Sequence, residues 1–172
     1  EEPMDFSKKN FMSIPDQHKF LIQLIFPNQN NSENQLSLSE LDQKFILSKM
    51  CMLPRHSTNP KYGAKYYDGY CKFFMFGDSK ARIPDHIKIF NKVGLAYGFV
   101  LDNAYIIDQK HGVEFFLTAV VYGNRNGVLN DNIYDYDNLT IPFLSALGDA
   151  IYKYEKMREK KYAPDLTFFE QL

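Results

Sequence analysis

The spacing of apolar residues along this chain changes from helical to extended and back. Ser13-Ile14-Pro15-Asp16 reads as a helix start: Ser13 caps, Pro15 suits the first turn, and Asp16 favours the positive end of the helix dipole. Phe20, Leu21, Leu24 and Ile25 follow at helical spacing, and Pro27 ends the segment. Asn28 to Gln35 is an Asn/Gln-rich loop. Ser37 and Glu40 then offer a capping box before a second helix with Leu41, Phe45, Leu47 and Met50, which stops before Pro54. Residues 54–68 read as a long surface loop, and Tyr70 to Phe76 is an aromatic run of undecided type.

The period then becomes extended. Ile87 to Phe99 is predicted as one strand and Ala104 to Asp108 as a second, with Asp102-Asn103 as the turn between them. Lys110-His111-Gly112 is the next turn. Val113 to Tyr122 is a third strand, apolar enough to be expected at the centre of the sheet. After a polar loop over Gly123 to Asn138, Thr140 is expected to cap a last helix. Its apolar stripe is Leu144, Leu147, Ile151 and Tyr154, and cations collect near its C-terminus. The prediction is an α+β fold, an antiparallel sheet flanked by helices. One unit spans 1–172: two helices in 13–53, a loop and aromatic segment in 54–86, a three-stranded meander in 87–122 and a C-terminal helix in 140–161.

Composition narrows the function classes. The 172 residues suit one domain, and 20 Lys and Arg against 21 Asp and Glu leave a net charge of -1. That balance gives no electrostatic footprint for nucleic acid. The 15 Phe and 12 Tyr support a substantial core in which buried phenols need partners. Cys51 and Cys71 define no framework: one disulfide is possible, and two free, partly buried thiols are the expectation. No apolar run is long enough for a membrane span, and no signal peptide is visible. A start at Glu1-Glu2-Pro3 reads as a processed or truncated product, part of a larger domain.

The candidate chemistry lies in the first strand. Lys92-Val93-Gly94 places a cation, a β-branched residue and a glycine in sequence, followed by Leu95 and by Tyr97-Gly98. Together with the meander and terminal helix, this resembles the K-T-G active-site strand of the serine β-lactamases and penicillin-binding D,D-peptidases. The resemblance implies the C-terminal portion of the β-lactamase/transpeptidase-like fold. It implies that Lys92 holds positive charge beside the reacting centre and that the Leu95 N–H is one oxyanion-hole donor. It also implies that Gly94 lets a substrate lie along the strand edge, and that Val93 stands where a Thr or Ser hydroxyl binds the substrate carboxylate. Lys92 and Leu95 are thus the catalytic candidates, and Val93 and Gly94 the substrate-binding ones.

No S-x-x-K occurs in the 172 residues, so the nucleophilic serine is expected from a missing N-terminal half. The implied activity is hydrolysis of an acyl or amide bond in a β-lactam or peptidoglycan-type substrate, in the periplasm or cell envelope, with no cofactor. The implied partners are an acyl- or peptide-like small molecule and the missing half or a second copy of the chain, with no nucleic acid. Two alternatives are a non-catalytic envelope-binding module that keeps the fold, and a standalone α+β domain that buries its own sheet. An edge-strand lysine that discourages aggregation is the plain explanation of Lys92.

Other motifs carry less. Ser32-Glu33-Asn34 fits an S-x-N pattern but lies in a soft loop between the two helices, where the family does not place that motif. His18, His56, His86 and His111 lack metal-ligand spacing, so no metal is assigned. Tyr66-Tyr67-Asp68-Gly69-Tyr70 suits a sugar or peptide surface, although a loop covering the core is the expected role.

Overall fold

Three antiparallel strands organise the computed structural model, which describes residues 7–8, 10–28 and 36–172. The chain's first residues, Ser32-Glu33-Asn34 and nearly all of the Asn/Gln-rich loop lie outside the described residues. The strands are β1 (Ile87–Ala96), β2 (Phe99–Asp108) and β3 (Val113–Tyr122), in the order β1-β2-β3. The fold is α+β, as the periodicity predicts.

The meander is where the sequence places it, but its first turn is not. Ala96 pairs with Phe99, and the turn is Tyr97-Gly98, with φ of 53° and 89°. Two positive φ values make the twisted two-residue turn that suits a hairpin, and glycine takes the second at little cost. Asp102 and Asn103, expected as turn residues, lie buried in the middle of β2. Side-chain partners make this tolerable. The Phe74 N–H donates to Asp102 Oδ2 at 3.1 Å and Asn91 Nδ2 to Oδ1 at 2.9 Å. Asn103 Nδ2 donates to the Gln17 carbonyl at 2.9 Å, and Thr118 Oγ1 donates to Asn103 Oδ1 at 2.7 Å. The central strand is therefore β2, not the apolar β3, which lies at an edge.

Helices cover both faces of the sheet. On one face Phe90, Tyr105 and Ile107 pack against α1 (Ile14–Ile25), α2 (Glu40–Cys51) and α5 (Thr167–Glu170) through Leu21, Leu24, Leu47 and Phe169. On the other, Ile89, Val100, Ala104 and Ile106 meet Phe73 and Phe74 of the short α3 (Phe73–Phe76) and Leu144 of α4 (Ile141–Met157). Among the described residues no helix is long and apolar enough to cross a membrane.

The caps repeat the sequence logic with small changes. Ser13 caps α1, accepting from the Asp16 N–H at 3.2 Å. The capping box of α2 is Ser39 with Asp42, two residues beyond the expected Ser37 and Glu40. Thr140 does not cap α4: it is buried in a π-turn, Tyr136–Thr140, that runs into the helix, and its hydroxyl turns back to the Tyr136 carbonyl at 3.3 Å. In the α4 stripe, Leu144 is buried and Leu147 and Ile151 pack against the core, but Tyr154 is 59% exposed. Gly148 takes its inward place because α4 meets α3 there. A Cβ on Gly148 would lie 2.6 Å from the Met75 nitrogen.

Candidate functional site

The edge of β1 is closed over its first half and open over its second. In the β1–β2 pairing, alternate residues of β1 turn their backbone groups away from β2. The Ile89 and Val93 carbonyls both accept bonds from side chains outside the pairing, which marks the odd-numbered positions as outward. Up to Asn91 this edge is sealed by Lys72, whose ammonium donates to the Ile89 carbonyl at 2.9 Å, to Asn91 Oδ1 at 2.6 Å and to the Met50 carbonyl. Beyond Asn91, among the described residues, only the exposed Lys92 ammonium reaches it, at the Val93 carbonyl. By the same parity, the Leu95 N–H points outward from the edge.

The four residues singled out from the sequence all fall on this open stretch. Lys92 is exposed, and its Nζ lies 2.8 Å from the Val93 carbonyl. Among the described residues no carboxylate pairs with it. Gly94 sits in open surroundings, since an added Cβ would meet only Leu101 at 3.9 Å. Leu95 is 45% exposed and lines a groove of about 510 Å³ with Tyr67, Tyr70, Tyr134, Tyr136 and Asp137. Val93 differs from expectation. Its side chain is half-buried and packs against the core on the α4 face, so a methyl suits it for reasons of packing as well.

Two loops complete the groove. Asp68 is buried, joined to Arg55 and accepting from the Ile83 N–H at 2.9 Å, which pins the 54–68 loop. Tyr66 and Tyr70 stack edge to face at 4.7 Å beside it. The tyrosine-rich run covers the core through the buried Asp68 and Gly69, while Tyr67 and Tyr70 line the groove. From the other side, Tyr136 accepts from the Gly98 N–H at 3.0 Å, tying the 123–138 loop to the hairpin turn.

Behind the edge lies a polar network that the sequence did not announce. Lys72 is only 3% exposed; burial pulls its pKa down to about 8, with Asp102 pulling the other way. Burial pushes the Asp102 carboxyl up to about 6, against the hydrogen bonds from Asn91 and Phe74. One signal was available: a lone lysine inside the aromatic run Tyr70 to Phe76 must find partners if that run is buried. Cys51 and Cys71 are free, and burial raises both thiols, so neither is a ready thiolate.

The histidines depart from the sequence expectation as well. His86 and His111 stand beside the buried Asp108, within reach of a common ion. Sequence spacing hid this, because strand pairing brings Asp108 opposite Ile87.

No protein-family model, curated protein or solved structure matches this chain.

Proposed function

We propose that this chain forms one wall of an acyl-transfer site of the serine-hydrolase type, with the open edge of β1 from Lys92 to Leu95 lying along the substrate. The observation that carries the reading is that edge: an exposed cation with no carboxylate partner among the described residues, an outward backbone N–H and an open glycine beside a tyrosine-lined groove. An extended acyl or peptide-like substrate pairs with a free strand edge through its own amides. The Leu95 N–H then faces the carbonyl oxygen, and one such donor is worth roughly 2.7–4 kcal/mol as negative charge develops there. Lys92 adds positive charge near the same oxygen. The nucleophilic serine and its base come from a segment outside these residues, and a periplasmic or envelope location suits peptidoglycan-type substrates.

The test is covalent labelling of the full-length protein with a chromogenic β-lactam or an acyl-serine probe. Labelling is expected on a serine outside this chain, and the isolated chain should stay unlabelled. Lys92→Ala should slow acylation at least tenfold with unchanged melting temperature. A rate within twofold of the wild type in a normally folded variant would reduce Lys92 to an edge lysine.

One observation favours a second reading, a non-catalytic envelope-binding module. Val93 offers no hydroxyl to a substrate carboxylate, and its side chain is turned to the core. This reading expects no S-x-x-K upstream of the chain, and ligand binding without acylation.

A further inference from the structure

The far end of the sheet gathers a different set of groups. His86 precedes β1, Asp108 ends β2, and His111 lies in the turn before β3. The backbone holds these positions together. The Gln109 N–H donates to the His86 carbonyl at 2.9 Å, and the His111 N–H donates to Asp108 Oδ1 at 3.1 Å. One ligand atom from each side chain lies within 4.8 Å of the others.

We propose that His86, Asp108 and His111 bind a divalent transition-metal ion of the zinc class. Two imidazoles and a carboxylate suit zinc and its neighbours, whereas magnesium and calcium prefer oxygen alone. Tetrahedral zinc with bonds of about 2.0–2.2 Å sets its ligand atoms about 3.3 Å apart. The two imidazoles approach different oxygens of the one carboxylate, His111 Nδ1 at 2.7 Å from Asp108 Oδ2 and His86 Nε2 at 3.9 Å from Asp108 Oδ1, so the separations must adjust towards that value on binding. Both imidazoles are about one-third exposed, 34% for His86 and 32% for His111, so their side chains have room to turn. The exposed side of the rings gives the ion a way in and leaves its fourth position to water.

The carboxylate is already oriented for such a role. Asp108 is fully buried, and Tyr152 of α4 donates its hydroxyl to Oδ2 at 2.6 Å. That is the outer hydrogen bond which holds a ligating carboxylate in place, and its loss commonly weakens metal binding tenfold or more. Lys92 is five residues from Ile87 along β1, roughly 16 Å at the strand rise. The ion is therefore separate from the proposed acyl site, and the two proposals stand or fall independently.

Titration of the chelator-stripped chain with zinc ion alone, followed by calorimetry, tests the site. The expected result is one ion per chain at a Kd below about 10 µM, with a raised melting temperature. His86→Gln and His111→Gln should each weaken binding at least tenfold, and Tyr152→Phe about tenfold. His18→Ala and His56→Ala, which lie outside the cluster, should bind like the wild type. Cobalt ion should give the visible absorption of a low-coordinate nitrogen- and oxygen-ligated site, lost in both His→Gln variants. Circular dichroism checks that each variant is folded. No binding by the wild type, or binding within twofold of it in either folded His→Gln variant, overturns the proposal and leaves a simple histidine–aspartate hydrogen bond.

Discussion

Gly94 separates a structural from a functional use of the β1 edge. The chain does not need a glycine there, because an alanine Cβ would find ordinary contact with Leu101 and no clash. A strand-interior glycine instead costs about 0.5–1 kcal/mol relative to alanine. Gly94→Ala should therefore keep or slightly raise the urea midpoint, while acyl-probe labelling of the full-length protein falls. Unchanged labelling would mean that no ligand lies along this edge. Val93→Thr works in the opposite sense. A hydroxyl against the half-buried core side costs about 1 kcal/mol, so the midpoint should fall, contrary to the nearly silent exchange that the two side-chain shapes suggest.

At the scale of elements, the contact between α3 and α4 fixes the polar core. Phe74 donates its N–H to Asp102 and lies against Gly148 of α4. Two effects oppose each other in Gly148→Ala. Helix propensity favours alanine by about 1 kcal/mol. The new methyl would sit 2.6 Å from the Met75 nitrogen and 2.9 Å from the Phe74 Cα, which are backbone atoms with no rotamer to change. Overpacking of this kind costs about 1–3 kcal/mol, so after the propensity gain the variant should be less stable by up to about 2 kcal/mol in urea unfolding. A gain in stability would show that the two helices are not in tight contact. The hairpin follows a simpler rule, since Tyr97-Gly98 was in the sequence as a turn pair and only the stronger turn reputation of Asp102-Asn103 obscured it.

At the scale of the molecule, Lys72, Asn91 and Asp102 join α2, the aromatic segment, β1, β2 and α3 through one buried network. Its charges give stability a defined dependence on pH. The folded-state pKa of Asp102 is raised to about 6, so the folded protein binds the extra proton first, and stability from this group grows as pH falls from 6 towards 3.8. Lys72 is lowered to about 8, so its contribution grows as pH rises from 8 towards 10.5. Between these limits both charges are buried at a cost. The charged groups facing Lys72 are Asp102 and the thiols of Cys51 and Cys71 when ionised. Asp102→Asn removes the acid arm. Between pH 6 and pH 4 the stability of the wild type relative to the variant should rise by about 2 kcal/mol. A difference that stays constant over that range would mean that Asp102 is not protonated in the folded state.

The sequence by itself determined the elements. Helical stripes, the Ser13 cap and the three-stranded meander are written in local periodicity and in residues a few positions apart, and α1, α2, the meander and α4 all form. It also marked Lys92 to Leu95 as a strand segment of unusual composition. Only the tertiary structure decided which strand is central, where the β1 edge opens, and which polar residues are buried together. Each of those depends on partners far apart in the chain. Lys72 reaches Asn91, Asn103 reaches Gln17, and His86 meets Asp108 and His111 because β1 pairs with β2. A buried lysine or aspartate is tolerable only where such partners converge, and convergence is a property of strand pairing and helix packing that no local pattern contains.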